Sequence, residues 1–580
     1  MFDKKSLDRI EAKKKEWEEG VLKRQLDRFG IEESPNKFYT PLDIKDHDFL
    51  AEEGFPGEYP YTADIYPSSV PGTSGAGYGV SGPMARAGDY TGYGTAEDTR
   101  DFYKKLMGSH LRPGGPNLAF DLPTQCGHDS DDPVSLGEVG RVGVAVDTLR
   151  DMEIIYEPYV GPNDLDKIVS NFTINAPCNI IIAMYIALAE KRGIPLSKLR
   201  GTPQNDILKE FTARGTYIFP PKPSMRMERD SITYFTKHLP SMNILSICGY
   251  HMREAGGTAA QVLAFTLSHG MAYVQLGIDA GLDVDDFVHR LTFLNLGGGM
   301  KFFTEIALNR AARRMWAGIM KERFKAKNPR SLLYRPASAA FVGAVNTTMQ
   351  RPLNNLTRSV IGGVMSALSG GRGDVRPRYD EPLGLGHSFE AYQLQRDATR
   401  IIQYEAELCD VIDPLAGSYY VEALTNKIEA EAWEIIKKID AIGGAVAAIE
   451  EGFTQREIAK SSYQYQSAIE RGEEVIVGVN KFTGEEELDI RVSRLVEHPY
   501  DPTKREEAEE RQIANLTKIK KERSNQAVQS TLKQLHKAAQ DENENLIPHI
   551  LEAVKAYATI GEISDVLRAV FGEYEASGIV

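Results

Sequence analysis

The chain has 580 residues and a formal net charge of −14, with 42% hydrophobic and 26% charged residues. This composition is typical of a globular protein, and the negative charge offers no basic field for nucleic acid or an anionic membrane. No apolar run approaches the length of a membrane span. The charged amino terminus and four cysteines without metal-ligand or disulfide spacing predict a cytoplasmic protein with reduced thiols.

The first predicted element is an amphipathic helix over residues 4–29, where apolar residues recur at helical spacing among many charges. Residues 30–62 carry prolines and aromatics without clear periodicity, which indicates an extended segment. Residues 1–62 are therefore predicted to form an arm that packs on a partner or on the main domain. The glycine-rich stretch that follows, residues 63–95, has by composition the character of a flexible surface loop.

Short apolar runs then alternate with longer amphipathic segments up to residue 330. The predicted strands cover residues 117–122, 168–174, 243–248 and 291–296, and the predicted helices between them cover residues 179–192, 258–280 and 300–322. Such alternation over so long a stretch predicts an α/β fold, a (β/α)8 TIM barrel with helices outside a parallel sheet. We assign residues 63–425 to this barrel domain.

The remaining chain is predicted to be mostly helical. Residues 426–483 form a helical extension, with helices expected at 429–442, 444–451 and 455–472. Residues 484–580 begin with a charge-dense linker and regain helical periodicity near the end of the chain.

Polar residues follow the predicted strand at 243–248. That strand ends at Gly249-Tyr250-His251. The C-terminal ends of barrel strands are where active sites are assembled, so His251 and, one unit earlier, Gln204 and Arg214 are expected where a substrate would lie. A single histidine after a strand is also compatible with a purely structural role.

Several stretches together identify a family. They are QNDILKEF, RGTYIFPPKPSMR and GYHMREAG between residues 201 and 256, AFDLPTQCGHDSDDP at 119–133, INAPCNIIIAMY at 174–185, VIDPLAGSYYVEALT at 411–425 and VIVGVNKF at 475–482. In these stretches the chain resembles the large, catalytic chain of the methylmalonyl-CoA mutase family, the adenosylcobalamin-dependent acyl-CoA mutases. The resemblance runs from about residue 50 onward. It implies the barrel fold and a radical 1,2-migration of a thioester carbonyl group.

The resemblance also implies roles for individual residues. His251 would hydrogen-bond the migrating thioester carbonyl group, and Tyr250 would pack beside the cofactor. Gln204 and Thr202 match residues that support the thioester end, and Arg290 matches one that contacts the acyl-CoA.

Three further residues are expected on the cofactor side. Glu381 matches the carboxylate that holds the adenosyl ribose. Glu254 follows His251 by about one helical turn, where it would orient the side of the site that faces the cofactor. In the family the acyl-CoA chain threads the barrel axis, which requires small or polar residues on the inside of the barrel, and Asn175 fits that requirement. The Asp-X-His-X-X-Gly motif of cobalamin-binding domains is not found in the sequence. We therefore expect no cobalamin-binding domain in this chain, and adenosylcobalamin bound together with a separate small subunit in a hetero-oligomer.

Substrate class is indicated by Tyr90 and Arg214, which match the residues that hold a free carboxylate in methylmalonyl-CoA mutases. Two stretches depart from the family. Pro60-Tyr61 resembles the start of a substrate-contacting stretch, but the Arg-Pro-Trp-Thr element that should follow is replaced by glycine-rich sequence, in which Tyr78 and Arg86 are candidate contacts. The other departure replaces an Arg-X-His-X-Gln element.

In that second stretch Arg335 is retained, but the histidine and glutamine are lost. New arginines appear downstream, at Arg372, Arg376 and Arg378. Guanidinium groups are well suited to carboxylate or phosphate, although such a cluster also fits a solvated loop. The departures predict a carboxyl-bearing acyl-CoA that is methylmalonyl-CoA-like or larger, of the alkyl- or arylsuccinyl type.

Three alternatives stay open. The first is an isobutyryl- or 2-hydroxyisobutyryl-CoA-type mutase, against which Arg214 is the main argument. The second is a catalytically silent mutase paralogue that acts as a binding partner. The third is an unrelated barrel hydrolase or lyase, which fold alone would allow, although no nucleophile–base pair or metal cluster in the sequence favours it.

Overall fold

The computed structural model describes residues 3–33, 37–67, 87–108, 115–336, 341–371, 373–383, 389–484 and 502–576. Three predicted contact residues, Tyr78, Arg86 and Arg372, lie outside these ranges. Among the described residues, no helix combines the length and apolar character needed to cross a membrane.

The strands of the described ranges all pair in parallel. They are β1 (Ala87–Thr91), β2 (Gly115–Ala119), β3 (Ser170–Thr173), β4 (Gly201–Pro203), β5 (Leu245–Ile247) and β6 (Leu291–Phe293). Strands β1 to β4 form one sheet in chain order, and β5 pairs with β6. The four strands predicted from apolar runs are confirmed, each shorter than expected. Strand β1 lies within the glycine-rich stretch that composition alone indicated to be a loop, because its backbone finds a partner in β2.

Backbone hydrogen bonds join the two sheets. The amide of Asn243 donates to the carbonyl of Gly201, and that of Ser246 to the carbonyl of Gln204, both at 2.9 Å. Beyond β6, the amide of Phe293 donates to the carbonyl of Arg335 at 2.9 Å. The described chain is thus a mostly helical α/β fold around a run of parallel strands, and these strands do not by themselves trace a closed barrel.

Helices make up most of the described chain. They are α1 (Lys4–Trp17), α2 (Lys23–Phe29), α3 (Ala96–Gly108), α4 (Leu122–Gln125), α5 (Leu149–Ile155), α6 (Cys178–Lys191), α7 (Ile207–Lys209), α8 (Pro221–His238), α9 (Tyr250–Glu254), α10 (Ala259–Asp279), α11 (Val284–Phe287), α12 (Phe302–Gly318), α13 (Asn354–Leu368), α14 (Phe389–Arg400), α15 (Tyr419–Ile442), α16 (Ala445–Glu450), α17 (Phe453–Glu470), α18 (Pro502–Glu522), α19 (Asn525–Ala539), α20 (Ile547–Lys555) and α21 (Ile560–Phe571).

Burial explains which helices are central. Helix α6 is apolar on all sides and is buried from Cys178 to Ala189, and α10 is buried over most of its length. Helix α10 begins with a capping box, in which Thr258 and Gln261 satisfy each other's backbone amides. These helices cover a sheet whose strands β3, β4 and β5 are themselves buried, so the strand ends are held by a rigid scaffold.

Both terminal regions pack on this scaffold. In the N-terminal arm, the segment predicted to be extended contains short helical turns at Pro41–Ile44 and Phe49–Glu53, and Arg314 of α12 donates to the carbonyl of Glu52 at 3.1 Å. The apolar residues of α19 to α21 belong to the same core as α6. Helix α18 lies in the charge-dense stretch predicted to contain a linker. Its Gln512 side chain donates to Asp147 at 2.7 Å.

Candidate active site

His251 follows strand β5 by four residues and therefore lies at the carboxyl end of the sheet. A Cβ atom on Gly249 would lie 2.7 Å from side-chain atoms of Leu296 and Thr266, so only glycine fits where the chain leaves β5. Helix α9 begins directly afterwards, at Tyr250, and the Tyr250 and His251 rings lie 3.9 Å apart between centroids. His251 is half-buried at the edge of the core.

The imidazole of His251 is kept neutral. Burial lowers its pKa well below the ordinary value, and the nearby positive charges of Lys209 and Arg214 lower it further. Its Nδ1 atom is buried and has no hydrogen-bond partner within the described residues. A buried polar atom without a partner costs free energy that a ligand can recover, so His251 is poised for a hydrogen bond to a bound molecule.

A buried polar network lies behind His251, at the ends of β3 and β4. We call it the strand-end network, and it consists of Asn175, Gln204, Lys209, Glu210 and Thr216. The Lys209 ammonium donates to Gln204 Oε1 and to Glu210 Oε1, both at 2.7 Å, and to Asn175 Oδ1 at 3.3 Å. Asn175 Nδ2 donates to the same two acceptors, at 3.1 and 2.8 Å. Thr216 donates to Glu210 Oε2 through its amide and its hydroxyl.

The network fixes the orientation of Gln204. The Gln204 Oε1 atom accepts from both Lys209 and Asn175, so the carboxamide oxygen is held inside the network. The Nε2 group then faces away from these donors and is available to donate. Burial opposes ionisation of Glu210, but Lys209, Arg214 and its hydrogen bonds prevail and lower its pKa, so the ion pair is maintained.

Arg214 lies at the edge of the network. It ends a single π-helical turn, Glu210–Arg214, and its Nη1 atom is 3.4 Å from Glu210 Oε1. The side chain remains 27% exposed, in contrast to the fully buried Glu210. Structure therefore brings together the predicted residues His251, Gln204, Arg214 and Asn175.

Sequence reasoning gave no role to Lys209 or Glu210. The signal that was available is two adjacent charges between the apolar residues Ile207, Leu208 and Phe211, because side chains in such a stretch are usually buried and buried charges are usually paired.

A second group of predicted residues lies near the beginnings of the strands. Thr202 Oγ1 accepts from Asn243 at 2.8 Å, and Arg335 Nη2 donates to Asn243 at 3.5 Å. Arg290 donates through Nη1 to the carbonyls of residues 235, 239 and 242, at the end of α8 and just beyond it. These contacts favour a structural role for Arg290, whose pKa burial lowers to about 10.

The remaining predicted substrate contacts are spread more widely. Tyr90 of β1 pairs with Asn117 of β2. Asn117 pairs in turn with Asn171 of β3, and Asn171 pairs with Thr202 of β4. Tyr61 is buried in a separate apolar cluster with Ile65 and Ala317. Arg376 is exposed. The described structure therefore does not unite Tyr61 or Arg376 with the strand-end network.

Two of the three predicted cofactor residues, Glu254 and Glu381, lie outside the strand-end network. Glu254, at the end of α9, accepts the amide of Ala344 at 2.6 Å. Burial raises the Glu254 pKa, and the negative charge of Glu381 raises it further. Carboxylate oxygens can accept hydrogen bonds from the hydroxyl groups of a ribose.

Comparisons with known proteins identify the family of this chain. The family model described as methylmalonyl-CoA mutase matches residues 31–573. The 2-hydroxyisobutanoyl-CoA mutase large subunit of Aquincola tertiaricarbonis is 38% identical over 584 aligned positions, which cover 98% of both chains. Methylmalonyl-CoA mutases of Rhizobium meliloti and Escherichia coli are 39% and 41% identical over 84% of this chain, which spans only 66% and 65% of their lengths. The chain therefore belongs to the methylmalonyl-CoA mutase family of acyl-CoA mutases, as a large, catalytic-type chain of these isomerases.

Proposed function

We propose that this chain is the large subunit of an adenosylcobalamin-dependent mutase that moves the thioester carbonyl group of a carboxyl-bearing acyl-CoA to the neighbouring carbon. The observation that carries the proposal is the convergence of a neutral His251, an oriented Gln204 and a partly exposed Arg214 beside one buried network. Residues 63–425 would form a closed (β/α)8 barrel, of which the six described parallel strands are part.

The residues present fit the family's cofactor. Adenosylcobalamin, when bound, supplies the carbon-centred radical that takes a hydrogen atom from the substrate. Glu254 and Glu381 would hold the adenosyl ribose through its hydroxyl groups. Asn175 makes its hydrogen bonds within the strand-end network, which supports a role in orienting Gln204. A separate small subunit would bring the cobalamin, as the name of the Aquincola relative, a large subunit, suggests.

Each of the three site residues has a distinct task in this reaction. His251 and Gln204 Nε2 hydrogen-bond the thioester carbonyl oxygen and hold it while the group migrates. Arg214 binds the free carboxylate of the acyl group through a charge-assisted contact. The surrounding buried side chains exclude water, which protects radical species from side reactions.

A second candidate substrate is a 2-hydroxyisobutyryl-type acyl-CoA. The relative of that activity aligns with this chain over nearly the whole length of both. The two candidates differ in the charge of the acyl group, because only a dicarboxylic acyl group gives Arg214 a carboxylate to bind.

The purified chain should be combined anaerobically with its candidate small subunit, adenosylcobalamin and a panel of acyl-CoA thioesters. Mass spectrometry would detect isomer formation, and electron spin resonance would detect radical species. We expect isomerisation of a branched dicarboxylyl-CoA. Turnover of the 2-hydroxyisobutyryl-type acyl-CoA alone would favour the second candidate. If no thioester were turned over although the two subunits still bound each other, a silent paralogue would be favoured.

Replacing Arg214 with glutamine should discriminate the two acyl classes. Loss of one charge-assisted contact is expected to lower kcat/KM for the dicarboxylyl substrate by about 10- to 100-fold, which corresponds to about 1.5–3 kcal/mol. A neutral acyl-CoA should lose much less. Arg323→Gln, a surface change in the ion pair with Asp440, is the matched control. Equal losses for both acyl classes in the Arg214 variant would remove the carboxylate argument.

A further inference from the structure

A second buried polar cluster connects the N-terminal arm to helix α15. His47 and Glu53 come from the arm and Glu422 from α15, and one potential ligand atom from each lies within 4.8 Å of the other two. All three residues are buried, at 4%, 5% and 0% exposure. We propose that His47, Glu53 and Glu422 bind a divalent transition-metal ion of the zinc type, which fastens the arm to the scaffold.

His47 is the central observation. Neither ring nitrogen has a hydrogen-bond partner within the described part of the chain, although the ring is buried among carboxylates. Its Nε2 atom lies 3.5 Å from Glu53 Oε2. Two ligand atoms that are each about 2.0–2.2 Å from one tetrahedral ion stand about 3.4 Å apart, so this pair is spaced to share an ion.

A second carboxylate lies near the other ring nitrogen of His47. Glu52 Oε2 lies 3.4 Å from His47 Nδ1. Metal-binding histidines commonly donate their second N–H to a carboxylate, which fixes the tautomer and makes the first nitrogen a better ligand. Glu52 is placed for that outer role, and it is held there by the side chain of Asn426, which donates to it at 3.1 Å.

Glu422 completes the set. Its Oε1 atom accepts from Arg310 and from the amide of Gly417, whereas its Oε2 atom is buried and has no hydrogen-bond partner among the described residues. Oε2 is therefore the atom available to an ion.

Charge balance favours a divalent ion. Arg310 pairs with both Asp413 and Glu422. The carboxylates of Glu53, Glu422 and Asp413 outnumber this one guanidinium, so the cluster carries an excess of acidic groups. Buried unpaired charge is strongly unfavourable, and a divalent cation removes it.

The donor set restricts the ion. One imidazole and two carboxylates, without thiolate, suit zinc and its first-row neighbours such as manganese and cobalt. His47 and Glu53 are six residues apart, but Glu422 is remote from both along the chain, so sequence spacing does not reveal the set. The competing explanation is a metal-free cluster in which His47 contacts Glu52 and Glu53 directly.

Metal content of the full-length chain tests the proposal. The protein should be stripped with a chelator, incubated with zinc, manganese or cobalt salts, separated from free ion by gel filtration and analysed by mass spectrometry for metal. We expect about one equivalent of one of these ions, and a rise in Tm on adding it. His47→Gln and Glu53→Gln should each abolish both effects.

His549→Gln is the matched control, because His549 lies on α20 and pairs only with Glu544 at 3.0 Å among the described residues. It should retain wild-type metal content. The proposal would be overturned if the wild type retained no more metal than the His47 variant, or if its Tm did not respond to any of the ions. If His47→Gln does not fold, Glu53→Gln decides by the same two readouts.

Discussion

Replacing His251 with alanine is expected to lower kcat by about 10²-fold or more, with a smaller change in KM. The reason is that a preorganised hydrogen bond to an oxygen whose charge changes in the transition state contributes on this scale. Folding should be little affected, because the Nδ1 atom of His251 has no hydrogen-bond partner among the described residues that the change would break. Steady-state kinetics with the reconstituted enzyme measure the effect.

The pH dependence gives an independent check on His251. Its folded-state pKa lies well below 6.5, so lowering the pH through the ordinary histidine range should not protonate it. The pH profiles of kcat for the wild type and for His251→Gln should therefore run parallel between about pH 6 and 8. His238→Ala, a change of a histidine at the end of α8, should leave kcat unchanged. A wild-type inflection near pH 6.5 that His251→Gln abolishes would contradict a neutral imidazole.

Replacing Lys209 with methionine is expected to produce the largest loss of stability among changes at the site. Removing one partner of a buried ion pair leaves the other charge uncompensated, which typically costs about 3–5 kcal/mol. The free energy of unfolding, measured by urea denaturation, should fall by about that amount. Activity should also fall, by about tenfold, because Gln204 loses one of the two donors that hold its oxygen.

A double-mutant cycle separates the ion pair from other effects of the change. Glu210→Gln removes the negative charge and keeps one acceptor oxygen, which can serve either Thr216 or Asn175 because these two residues donate to different carboxylate oxygens. In the Lys209→Met, Glu210→Gln variant no unpaired charge remains from this pair. We expect it to be more stable than the sum of the two single losses predicts, by at least about 1 kcal/mol. Strict additivity would show that Lys209 and Glu210 do not interact as the structure indicates.

Much of the fold follows from local pattern. Apolar runs at 117–122, 168–174, 243–248 and 291–296 are strands in the structure, and the periodic segments at 179–192 and 258–280 are helices. These predictions hold because burial on both faces of a parallel sheet leaves a continuous apolar run in the sequence. Strand β1 was not predicted, because its sequence, Ala-Gly-Asp-Tyr-Thr, has a weak strand tendency and only pairing with β2 makes it a strand.

The sequence by itself determined the family and the acidic charge of the chain, and it predicted His251, Gln204 and Arg214 as site residues, because motifs and composition can be read without the tertiary structure. Only the tertiary structure showed that Lys209 orients Gln204 and that Arg290 donates to backbone carbonyls. It also showed that His47 and Glu53 lie close to Glu422. Those relations depend on distances between residues that are remote along the chain or on opposite sides of one turn. Burial then sets the strength of the electrostatic interactions between these residues, and no local sequence pattern encodes that burial.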